Sequence, residues 1–103
     1  MKPAAMRPRV QVLVCTHARA PTDPLASGCG AAGPAVFSAM KRAVIASGRA
    51  ARVWVTATGC MGHCPRAGCS VALHPMNEHH VEVTEADAPA LTARALAASE
   101  GAT

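Results

Sequence analysis

Residues 53–64 read Val-Trp-Val-Thr-Ala-Thr-Gly-Cys-Met-Gly-His-Cys. Val53-Trp54-Val55 is the composition of a buried strand, β-branched and aromatic, and it leads into a Gly-containing loop with Cys60 and Cys64. An earlier stretch has the same plan. Val10, Val12 and Val14 alternate with Gln11 and Leu13, and the run ends on Cys15 before a long loop, Thr16 to Pro34, that holds Cys29. Between the two strands Val36, Phe37, Met40, Ala43 and Val44 share one face of a helical pattern, with Lys41 and Arg42 off it. Pro34 suits its first turn and Gly48 its stop. A strand–helix–strand unit implies parallel pairing by a right-handed crossover. Parallel neighbours end at the same side, so Cys15 and Cys60 are expected close together.

Beyond this unit, Ser70 to His74 and His79 to Val83 read as strands joined by Pro75-Met76-Asn77-Glu78, a hairpin. Thr84 and Asp87 have capping-box spacing before an Ala-rich helix that runs to about Ala98. Pro89 would then break a hydrogen bond in the second turn, which makes Asp87 the alternative N-cap. The expected order is β-α-β-β-β-α, an α/β fold with a small mixed sheet and helices packed on it. Residues 1–8 are expected to be a disordered lead-in, residues 9–99 the domain and residues 100–103 a tail.

With 103 residues the chain has room for one modest core. Ala is the commonest residue of its apolar half, and Phe37 and Trp54 are the only aromatics, so a bound metal centre is a plausible second source of stability. The net charge of +4 comes without a Lys/Arg run or interleaved aromatics, which gives nucleic-acid binding no support. No stretch approaches a membrane span. The basic start with Lys2, Arg7 and Arg9 precedes an apolar run too short for a signal peptide, so the expected location is cytoplasmic. There thiols stay reduced, and clustered cysteines favour metal or redox chemistry over disulfides. The odd cysteine count of five points the same way.

Cys15, Cys29, Cys60 and Cys64 form one candidate pocket of four thiolates, the soft ligands that iron–sulfur clusters and zinc select. Cys69 opens an apolar strand and reads as a core or near-surface thiol, able to substitute as a ligand if Cys64 were lost. His17 and His63 lie near the cysteines, but four thiols already complete a ligand set. His74, His79 and His80 flank the hairpin and read as solvated.

Together, Val12-Leu13-Val14-Cys15, Gly28-Cys29, the helix from Pro34, Thr58-Gly59-Cys60-Met61-Gly62-His63-Cys64 and Val71 to Pro75 resemble the thioredoxin-like 2Fe-2S ferredoxins over roughly residues 10–98. The resemblance implies a thioredoxin-like fold, a 2Fe-2S cluster on Cys15, Cys29, Cys60 and Cys64, and a homodimer that carries electrons between redox protein donors and acceptors. The chain departs from the family in the loop after Cys64, in Cys69 where Pro is frequent, and in Met76 to His80, which lacks the usual aromatic and Gly. Arg19 and Arg66 share the ligand loops, where a cation favours an added electron.

No paired carboxylates, Ser/His/Asp arrangement or phosphate loop appears, so the expectation is an electron carrier and not an enzyme. The alternatives are an iron–sulfur subunit of an NADH-oxidising or hydrogenase complex, a structural zinc module, and a dithiol oxidoreductase. The last is disfavoured because Cys60 and Cys64 are one residue further apart than C-x-x-C.

Overall fold

The computed structural model describes residues 1–17, 32–62 and 67–101. Its elements are β1 (Val10–Cys15), α1 (Gly33–Ala46), β2 (Val53–Thr58), β3 (Cys69–His74), β4 (Glu78–Val83), a 3-10 turn (Glu85–Asp87) and α2 (Ala88–Gly101). They form one mixed sheet in the order β2-β1-β3-β4. β1 and β2 are parallel, as the crossover rule requires, and β3 runs antiparallel to both β1 and β4. This is the expected thioredoxin-like α/β architecture.

The two helices touch each other and pack over the same sheet. Val10, Val12 and Val14 of β1, Val53 and Val55 of β2, and Val71 and Leu73 of β3 are buried with Val36, Met40 and Val44 of α1 and Leu91 and Ala95 of α2. Strand alternation sends the intervening residues to the other face. There the register sets Gln11 between Trp54 and His74, and Leu13 between Thr56 and Ala72.

Local signals set the helix ends. Pro34 occupies the first turn of α1, where its missing N–H is no loss. Gly48, at φ +78°, turns the chain away after the helix and donates its N–H to the Ile45 carbonyl at 3.1 Å. At the other helix the Thr84 N–H donates to Asp87 Oδ2 at 2.9 Å, and the Asp87 N–H to the Thr84 carbonyl at 2.9 Å. The intervening 3-10 turn delays the α-helix to Ala88. Pro89 therefore falls in the first turn of α2, as the alternative start after Asp87 expects, and breaks no interior hydrogen bond. The helix also runs past Ala98 to Gly101, into what was expected to be tail.

The two outer strands differ. β4 has a register shift against β3, and Glu82 within it sits at φ +57°. Gly68, at φ +70°, lies so close that an added Cβ would be 2.8 Å from the Val83 nitrogen. β2 carries no charge, Pro or Gly from Val53 to Thr58. No helix among the described residues is long and apolar enough to cross a membrane.

Candidate metal centre

The parallel register pairs Cys15 with Thr58, so Cys60 begins two residues beyond the end of the strand beside it. The alignment continues past the strands: the Thr16 N–H donates to the Thr58 carbonyl at 3.0 Å, and Thr16 Oγ1 donates to the same oxygen at 3.2 Å. Cys15 is buried at 2% exposure, whereas Cys60 is exposed. One thiol is thus anchored in the fold and the other lies at its rim. Cys29 and Cys64, the remaining expected ligands, fall outside the described residues, as do His63, Arg19 and Arg66. Among the described residues no group of three or more His, Cys, Asp or Glu side chains converges as a metal site.

Two backbone features act on the described thiols. The Gly62 N–H donates to Cys60 Sγ at 3.4 Å. Gly62 has φ +92°, a conformation that an L side chain would strain, so the glycine lets the loop fold back on its own cysteine. The second feature is the start of α1. A Cβ on Gly33 would collide with the Cys15 carbonyl oxygen and lie 3.0 Å from the Thr16 Cα. The first turn of α1 is therefore packed directly on the Cys15 peptide, with the positive end of the helix dipole toward that end of the sheet. The first stabilises negative charge on the Cys60 sulfur, and the second sets the positive end of α1 at the end of the sheet that carries Cys15. Sequence reasoning missed Gly33; a glycine one residue before Pro34 was the available signal.

Cys69 is fully buried in the core beneath the helices, opposite Val83. Of its two expected positions this is the core one. His79 and His80 are exposed, as expected, and His74 is half-buried. His74 and His79 meet edge to face at 5.9 Å, His79 Nε2 donates to Asn77 Oδ1 at 3.0 Å, and His80 lies 3.7 Å from Glu78. All three adjoin the turn between β3 and β4. Since His74 pairs with Gln11 at the start of β1, that turn lies at the opposite end of the sheet from Cys15.

No family model and no curated protein sequence matches the chain. Solved structures do. A wild-type thioredoxin-like 2Fe-2S ferredoxin from Aquifex aeolicus superposes with a TM-score of 0.77 at 24% identity, over 89% of each chain. A further structure of a thioredoxin-like 2Fe-2S ferredoxin from the same organism gives 0.76, with 87% of this chain and 82% of that one covered. A cysteine-to-serine variant of that ferredoxin gives 0.75. At this identity the likeness establishes the thioredoxin-like fold.

Proposed function

We propose that this chain is a one-electron carrier that holds a 2Fe-2S cluster on Cys15, Cys29, Cys60 and Cys64 and shuttles electrons between redox proteins in the cytoplasm. The observation that carries the proposal is the β1–β2 register, which sets Cys15 beside the Thr58-Gly59-Cys60 segment in a fold shared with 2Fe-2S ferredoxins. The donor set suits the group: soft thiols, one already receiving a backbone N–H. When bound on four thiolates, such a cluster supplies a single reversible electron and offers no open position to a substrate.

Each described residue has a part in this. Cys15, shielded from water, ties the site to β1. Cys60 on the exposed rim faces a docking partner. The Gly62 N–H and the first turn of α1 offset the charge that reduction adds. A homodimer accompanies this reading, carried by the family resemblance and supported by the 51% exposed Val81 next to the altered hairpin.

Protein produced under anaerobic, iron-sufficient conditions should be red-brown, with about two irons and two acid-labile sulfides per chain. Stoichiometric zinc without visible absorption would replace the reading with a structural zinc module. Cys15→Ser and Cys60→Ser should lose or strongly shift the visible spectrum, and Cys69→Ser should leave it intact.

A further inference from the structure

Residues 33–58 contain Lys41, Arg42, Arg49 and Arg52 and no acidic residue. This basic segment frames an open strand. β2 is an outer strand of the sheet, and among the described residues no strand pairs with its far side. Proteins usually blunt such edges with charges, Pro or bulges. β2 has none of these, only Val-Trp-Val-Thr-Ala-Thr.

Its backbone polarity stems from the pairing with β1. The Arg52 carbonyl accepts from the Val10 N–H, and the Thr58 carbonyl from the Thr16 N–H, so even-numbered residues of β2 point their backbone groups inward. Alternation turns those of Val55 and Ala57 outward. Beside this edge runs a groove of about 350 Å³ lined by Lys41, Val44 and Ile45 of α1 and by Val53, Trp54 and Thr56. Ile45 is 59% exposed there, an apolar side chain with room for a neighbour. Lys41 lies over the Phe37 ring, 5.5 Å from its centroid, and is thereby held beside α1.

We propose that the β2 edge is a docking site for an extended segment of a partner protein in which acidic and apolar residues alternate. The guest adds a fifth strand, pairing its main chain with Val55 and Ala57. Its apolar side chains pack along Trp54, and its carboxylates lie toward Lys41, the cation that lines the groove. Charge selects this occupant over a second copy of the chain: Arg49 is paired with Glu100, but edge-to-edge pairing of two β2 strands would still bring Lys41, Arg42 and Arg52 of each copy together with no acidic residue in the segment to offset them. The site is independent of the cysteines and does not rest on the cluster.

The test uses the protein as isolated and an acetylated, amidated Val-Glu-Val-Glu-Val-Glu-Val peptide, with Val-Lys-Val-Lys-Val-Lys-Val as control. Calorimetry is expected to show saturable binding of the glutamate peptide that weakens with salt, and none of the lysine peptide. Hydrogen exchange should slow in residues 53–58 and stay unchanged in β4. Ala57→Pro, which removes an outward N–H on an edge strand, should abolish binding. Lys41→Glu, a surface change that leaves the fold alone, should weaken it about tenfold. No binding of the glutamate peptide, equal binding of both peptides, or protection elsewhere than β2 would overturn the proposal. So would a homodimer that Ala57→Pro or Lys41→Glu converts to monomer, since the edge would then belong to a second copy.

Discussion

Among the described residues β2 and β4 each have one unpaired side, and the sheet treats the two differently. β4 carries Glu78, His79, His80 and Glu82, shifts register near Glu82 and is clasped by Gly68. β2 keeps an unbroken register with β1, is uncharged and is flanked by a groove. A blunted edge and an open one in the same four-stranded sheet indicate that the open one is available for pairing. A strand with no use for its edge would gain by carrying a lysine. The same contrast marks where strain resides: at the β4 edge, not at β2.

The sharpest break of that comparison is one substitution made at both borders. Gly68→Ala should cost about 3 kcal/mol or more, because the new Cβ meets the backbone of Glu82 and Val83 as well as an unfavourable φ. Gly48→Ala, at φ +78° before β2 but with nothing within 4 Å, should cost only about 1 kcal/mol. Urea unfolding of both variants gives the difference, and equal costs would remove Gly68 as the clasp of β4.

Glu82→Gly is the converse. It relieves a left-handed conformation worth about 1 kcal/mol, partly offset by a more flexible unfolded chain, so a gain near 0.5 kcal/mol is expected by the same measurement. A loss would show that the Glu82 side chain itself holds the bulge.

The smallest effect concerns the charge on β4. Hydrogen bonds from Arg94 hold the Glu78 carboxyl below its usual pKa of 4.5, with Nε to Oε2 at 3.2 Å. A carboxyl whose pKa is depressed in the folded state stabilises the fold above the unfolded pKa. That contribution disappears as pH falls through the lowered folded value. Glu78→Gln should therefore lower Tm slightly at pH 7, by an amount that shrinks as pH falls. An undiminished difference at pH 3 would assign the effect to packing.

The sequence carried the layout of the fold because burial and pattern coincide in it. Val10, Val12 and Val14, the α1 face and Val71 to His74 are where they are expected, and Cys15 ends β1 while Cys60 follows the end of its parallel neighbour β2 by two residues. What it did not carry has a common cause. Thr56, Ala57 and Thr58 extend β2 through hydrogen bonds to β1 with little burial, so apolar patterning ends at Val55. The bulge at Glu82 and the seat of Gly33 on Cys15 depend on backbone contacts between distant segments, which no local composition encodes.

Arg9, just before β1, places Nη1 3.5 Å from the Ser99 carbonyl near the end of α2, at the end of the sheet remote from Cys15. Chain entry and chain exit of the fold are therefore near neighbours, and both emerge at the pole away from the thiols. A polypeptide attached there, before or after, leaves the cysteine pole unobstructed. In modular terms the fold is a plug with its wiring at the back: it can be strung into a longer chain in either order, or circularly permuted by a short linker joining those ends, while its contact face stays outward.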